Sequence, residues 1–233
     1  MRLSAIEAAK KFIQTEFPDC LGAILSGSVA IGKETATSDL DIVVFQKEVN
    51  AYRESVMKYD WMIEVFVYDL ESYKPFFDSD VKRARPTLPR MLAEGMVIMQ
   101  HPELEKVVQY AKETMLGGPP KWDEKTIEFH QYFLSDLIDD FIGSEHINES
   151  ICIATTLLDK LHEFILRTNQ HWVGSSKWVY REMEHFNPYL TKEIFQAFHN
   201  YFQTGEKSGI IKIAESALEP FGGKRFEGFQ LGK

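Results

Sequence analysis

Leu25-Ser26-Gly27-Ser28-Val29-Ala30-Ile31-Gly32-Lys33-Glu34-Thr35-Ala36-Thr37-Ser38-Asp39-Leu40-Asp41-Ile42-Val43-Val44 decides how the first half of the chain is read. The residues leading into it, Leu21-Gly22-Ala23-Ile24-Leu25, are short and apolar, as a buried strand requires. That strand ends in Gly27-Ser28 and passes into a short helix. Gly27 lets a phosphate approach the backbone closely, Ser28 offers a hydroxyl donor, and the free N–H groups of a helix start favour an anion. After a ten-residue gap, Asp39-Leu40-Asp41 leads into a second strand, Asp41-Ile42-Val43-Val44-Phe45. Strand side chains alternate, so Asp39 and Asp41 point one way while Leu40 points to the core. Two adjacent carboxylates repel each other. A cation between them removes the conflict, and an all-oxygen set suits Mg²⁺.

Outward from this stretch, Trp61 to Tyr68 alternates with period two: Ile63, Val65 and Val67 on one face, Met62, Glu64, Phe66 and Tyr68 on the other. Glu64 is a carboxylate in a strand otherwise built from large apolar residues, a costly placement unless it is partnered. If its strand neighbours that of Asp39 and Asp41, it joins them in one metal cluster; an edge strand exposing a single carboxylate is the plainer alternative. Three carboxylates beside a Gly-Ser phosphate cradle make a two-metal phosphoryl-transfer site. Helices are expected over 3–17, 48–58, 70–78, 86–94 and 102–115, with a short strand at 96–99, so that a small sheet is covered by helices.

Gly117-Gly118-Pro119-Pro120 ends a helix and starts a linker. Beyond it strand signals nearly vanish. Helical periodicity runs over 123–142 and 147–168, with shorter helices at about 177–186, 191–203 and 206–219, the pattern of an antiparallel bundle. The Gly-rich, aromatic tail from Phe221 is expected to lie extended across the surface. The fold class expected is therefore α+β/α: a small mixed β-sheet domain with helices over 1–116, a linker over 117–122, an all-α helical bundle over 123–220 and a tail over 221–233.

Composition limits the partners. The chain has 233 residues, 44% hydrophobic and 26% charged, with 26 Lys plus Arg against 35 Asp plus Glu and a net charge of −9. Such an acidic chain is a poor partner for a nucleic-acid backbone or an anionic membrane. The cysteines, Cys20 and Cys152, form neither a disulfide framework nor a zinc site and fit a reducing, cytoplasmic setting. The N-terminal stretch has helical spacing without a long apolar run, unlike a signal peptide or a membrane span.

The Gly-Ser, the gap, the Asp-x-Asp and the later strand Glu resemble the nucleotidyltransferase superfamily related to DNA polymerase β, over roughly the first 100 residues. The resemblance implies that Asp39, Asp41 and Glu64 bind Mg²⁺, with two ions, and that Gly27, Ser28 and Ser38 hold the phosphates of ATP or another nucleoside triphosphate. The α/β domain followed by helices also looks like the antibiotic nucleotidyltransferases, such as the kanamycin and lincosamide enzymes. Leu166-Arg167-Thr168-Asn169 followed by Ser176-Lys177-Trp178 resembles the helical domain of uncharacterised bacterial proteins of that kind. The implied activity is transfer of a nucleoside monophosphate, AMP from ATP, to a hydroxyl of a small molecule such as an aminoglycoside, with the helical domain presenting the acceptor. By the same resemblance a homodimer sharing its cleft is an option. Modification of a protein partner, neutralisation of a toxin, and nucleotide binding without turnover are the alternatives. No nucleic-acid polymer is expected as substrate, because the chain lacks a basic extension.

Several other groups admit two readings. Lys82, Arg83, Arg85 and Arg90 either steer a triphosphate or form a solvated charge run. Lys177 either reaches the nucleotide as a flexible point charge or sits on the surface beside a packing Trp178. Asp136, Asp139, Asp140, Glu145 and Glu149 occupy a segment without Lys or Arg. There Asp136 and Asp140 share a helix face, which either docks a cationic acceptor or supplies a general base, or is merely solvated. Glu163 is a further candidate base. His162, among apolar positions, reads as a core histidine, and His130 and His146 have no metal-ligand spacing.

Overall fold

The computed structural model describes residues 2–35 and 37–232. The chain divides into two compact units, Met1–Gly118 and Pro119–Lys233. In the first, the order is α1 (Ala5–Glu16), β1 (Gly22–Ser26), α2 (Gly27–Ala30), β2 (Leu40–Phe45), β3 (Tyr52–Lys58), β4 (Trp61–Tyr68), α3 (Lys74–Lys82), α4 (Thr87–Glu94), β5 (Met96–Met99) and α5 (Pro102–Gly117). Helix α1 opens on a capping box: the Glu7 amide donates to Ser4 Oγ, and the Ser4 amide donates to Glu7 Oε2. Two amides that would otherwise lack a helical acceptor are thereby satisfied.

The five strands form one mixed sheet in the order β3-β4-β2-β1-β5. β2 and β4 are parallel; the other neighbouring pairs are antiparallel. Strand alternation divides the apolar residues between two layers. Ala23, Leu25, Leu40, Ile42, Val44, Ile63, Val65 and Val67 pack with Ala8, Ala9, Phe12 and Ile13 of α1. Ile24, Val43, Phe45 and Tyr68 pack with Tyr73, Phe77, Leu88, Leu92, Leu104, Val107 and Ala111 on the opposite face. Burying each such Leu, Ile or Phe contributes about 2 kcal/mol, which makes the central strands the rigid part of the unit.

One expected element is wrong. Residues 48–58 were expected to be helical, yet Tyr52–Lys58 is an edge strand paired antiparallel with β4. Ala51, Arg53, Glu54, Met57 and Lys58 favour helix locally. Pairing along the whole of β4 overrides that preference, and the strand lies so far in solvent that no apolar alternation marks it. The hairpin turns through Tyr59 and Asp60, both at positive φ (54° and 61°), without the Asn-Gly or Asp-Gly that usually announces such a turn.

The second unit contains α6 (Glu124–Gly143), α7 (Ile147–Thr168), α8 (Lys177–Phe186), α9 (Pro188–Thr204) and α10 (Ser208–Leu218), followed by a short 3₁₀ turn, Glu219–Phe221. Its core is built from positions three and four apart: Leu134, Ile138 and Phe141 on α6, Leu157, Leu161 and Phe164 on α7, Ile194 and Phe198 on α9, Ile210 and Ala214 on α10. The tail follows the 3₁₀ turn, whose last residue is Phe221. It is fastened to α6: Gln131 Nε2 donates to the carbonyls of Phe221 and Gly223, the Arg225 amide donates to Ser135 Oγ, and Phe229 stacks on Tyr132 at 3.9 Å.

Candidate active site

The parallel pairing of β2 with β4 sets Asp41 directly beside Glu64 in the register, and the pairing of β1 with β2 sets Ser26 beside Asp41. Asp41 and Glu64 therefore project from one face of adjacent strands. Asp39 lies two residues before Asp41, on the same side, while Leu40 between them is fully buried. One ligand oxygen from each of Asp39, Asp41 and Glu64 lies within 4.8 Å of the other two, and all three residues are half-buried. β4 is interior to the sheet, flanked by β2 and β3, so Glu64 is not a stray carboxylate on an edge strand. Three carboxylates so close together, partly removed from water, are a donor set that a hard divalent cation fits and that favours a positive charge nearby.

Gly27 closes the other side. Its φ is 74°, a left-handed conformation that side chains disfavour, and a Cβ there would collide with Asp41 Oδ2. The glycine thus makes room for a carboxylate of the triad. α2, which it begins, is a single turn and supplies a few backbone N–H groups rather than a long dipole.

Ser28 Oγ lies 3.0 Å from Ser38 Oγ, and Ser38 Oγ accepts the Thr35 amide at 2.8 Å. Ser38 is buried. With the Thr35 amide on its oxygen, the Ser38 hydroxyl can turn its proton to Ser28 Oγ, which leaves the Ser28 proton for an incoming anion. Ser38 thus sets the direction of the Ser28 hydroxyl.

A cation not singled out in the sequence also belongs to this place. Arg53 of β3 donates to Glu64 Oε2 at 2.5 Å, and its guanidinium carbon stands 4.9 Å from the centre of the Phe66 ring. The bond to Glu64 holds the guanidinium pKa above its ordinary value, with smaller pulls from Asp41 and Asp39. Assigning 48–58 to a helix hid this residue. The signal that would have found it is the placement of Arg53, Ser55 and Met57 at alternate positions just before a two-residue turn into β4.

Residues 6–85 match the family described as nucleotidyltransferase domain. The first unit carries a nucleotidyltransferase domain. The match spans every element that builds the acid triad and the Gly27-Ser28 turn, together with Arg53. Among solved structures, the chain is similar to a nucleotidyltransferase-like protein from Exiguobacterium sibiricum 255-15, with 10% identity, a TM-score of 0.46, and coverage of 92% of this chain and 74% of that one. No curated protein matches in sequence.

Within the nucleotidyltransferase unit, Arg83 and Arg90 are engaged locally. Arg83 pairs with the buried Asp80, whose other oxygen accepts the Leu88 amide at 2.7 Å and so tethers the start of α4. Arg90 lies 3.5 Å from Glu94. Neither Arg83 nor Arg90 is therefore simply a solvated charge.

The remaining candidates lie in the helical unit. Lys177 is exposed at the first position of α8. Asp136 and Asp140 are exposed on α6, and Glu163 on α7 is 3.1 Å from Lys160. The acidic segment is less bare than its sequence suggests: Lys224 pairs with Asp139, and Lys207 Nζ donates to the Ser144 carbonyl. Both cations come from far along the chain and were invisible to a local charge count. His162 is buried, with ring nitrogens 3.3 Å from the Leu158 and Gly174 carbonyls, and burial lowers its pKa. It is a core histidine, as expected. No helix among the described residues is long and apolar enough to cross a membrane.

Proposed function

We propose that the protein is an Mg²⁺-dependent nucleotidyltransferase that moves AMP from ATP to a hydroxyl of a small molecule and releases pyrophosphate. The observation that carries this reading is the convergence of Asp39, Asp41 and Glu64 beside the Gly27-Ser28 turn within a nucleotidyltransferase domain. The three carboxylates would hold two Mg²⁺ ions. Bound there, Mg²⁺ would lower the pKa of the attacking hydroxyl and neutralise charge on the triphosphate. The Gly27-Ser28 backbone amides and the Ser28 hydroxyl would hold the β- and γ-phosphates, with Ser38 fixing the Ser28 rotor. A new bond forms between the acceptor oxygen and the α-phosphorus as the bond from that phosphorus to the pyrophosphate oxygen breaks. The hydroxyl proton needs a base, for which Asp136, Asp140 and Glu163 are the candidates. Lys177 is the candidate for a further phosphate contact.

The helical unit would present the acceptor, and the net charge of −9 suits a polycationic, aminoglycoside-like compound. The test is incubation with Mg²⁺ and ATP labelled in the α-phosphate across panels of hydroxylated acceptors. Label transferred to an acceptor with stoichiometric pyrophosphate supports the proposal. Absence of pyrophosphate with every acceptor, while ATP binds and metal is present, leaves a nucleotide-binding module. AMP found by mass spectrometry on a co-purified protein instead moves the acceptor from small molecule to protein.

A further inference from the structure

We infer that Arg53 is a built-in counter-cation of the acid triad, seated on Glu64 so that Mg²⁺ must displace it to bind. The inference rests on the reading of Asp39, Asp41 and Glu64 as metal ligands. In the β3–β4 register Arg53 faces Phe66 and Ser55 faces Glu64, so Arg53 and Glu64 are diagonal neighbours on one face of the hairpin. The guanidinium occupies Glu64 Oε2 at 2.5 Å and rests against the Phe66 ring. Asp41 and Asp39 attract it as well, so its charge offsets the repulsion among all three acids.

A divalent ion held by the same carboxylates reverses this balance. It repels the guanidinium and competes with it for the Glu64 carboxylate. Arg53 has somewhere to go: its side chain is 57% exposed against 27% for Glu64, and the Phe66 face still supports it once Glu64 is released. The freed guanidinium then stands beside the metal site as a donor fork for an anion.

Titration of the full-length, nucleotide-free protein with Mn²⁺, followed by electron paramagnetic resonance of the free ion, tests the competition. Arg53→Gln is expected to bind Mn²⁺ about fivefold more tightly than the parent, the upper end of what an exposed ion pair contributes. Arg53→Lys, which keeps the charge but not the fork, is expected to fall between. Circular dichroism checks that both variants fold. Unchanged or weaker binding by Arg53→Gln, with Asp41→Asn abolishing the site, overturns the role of Arg53 alone. Binding that Asp41→Asn leaves intact, or no binding by the parent, overturns the metal-site reading beneath it.

Discussion

Gly27 and Gly32 offer a matched pair of substitutions. Both have positive φ, 74° and 65°. An alanine at either pays the same backbone penalty, about 1–2 kcal/mol for holding a side chain in the left-handed region. They differ in what the new methyl meets. At Gly32 there is nothing within 4 Å, whereas at Gly27 it collides with Asp41 Oδ2. That oxygen belongs to a rotatable side chain, so the collision is relieved by turning the Asp41 carboxylate away rather than by moving the sheet. Gly27→Ala and Gly32→Ala should therefore lose similar stability in urea. Only Gly27→Ala should also weaken Mn²⁺ binding and slow pyrophosphate release, by about 10- to 100-fold, the usual cost of disturbing a group that orients a metal ligand. Equal losses of metal affinity in the two variants, or parental affinity in Gly27→Ala, would refute the claim that this glycine keeps space for Asp41.

Asp41→Asn should reduce transfer about a hundred- to a thousandfold, from the loss of several kcal/mol of charge stabilisation, while the metal-free protein stays within about 1 kcal/mol of the parent because one of three repelling charges is gone. A large stability loss in chelating buffer would instead make the acids structural. Ser38→Ala leaves the Thr35 amide without its side-chain acceptor and Ser28 without a guide. A stability loss of about 1–2 kcal/mol and a raised KM for the nucleotide are expected, and an unchanged KM would remove Ser38 from the phosphate site. The third expectation concerns pH. Burial lowers the pKa of His162, so the folded state binds its proton less readily than the unfolded chain. The stability this histidine contributes is present above the unfolded value, near 6.5, and is lost as pH falls. Urea midpoints should drop between pH 7.5 and 5.5, less steeply in His162→Gln; an identical slope in the variant would rule out this contribution.

Where sequence reading succeeded, burial imposed a period. The strand at 61–68 and the helix at 147–168 have the expected limits, because buried apolar residues recur at the spacing each element needs; 96–99 and 177–186 also have the expected limits, although little of either is buried. The acid triad was legible for a related reason: Asp39, Leu40 and Asp41 straddle a strand start, and Glu64 interrupts an otherwise apolar alternation. β3 was not legible because little of it is buried. With β3 went Arg53, whose relation to Glu64 exists only across the hairpin. Gly27 was singled out for the approach of a phosphate; its nearest neighbour in the structure, Asp41, becomes apparent only when β1 is laid against β2. The cations that temper the acidic helix face, Lys207 and Lys224, arrive from distant segments, and no local window contains them.

The side-by-side pairing of Asp41 with Glu64 has a consequence for how this chain tolerates change. Their separation is fixed by a backbone ladder, rung against rung, and not by the loop that joins β2 to β3. Residues inserted between Phe45 and Tyr52 would lengthen a connection without parting the two acids. One residue inserted within β4 ahead of Glu64 would turn that carboxylate toward the packing of α1. Evolution and protein engineers alike are therefore free with the length of that connection and bound by the parity of the strand.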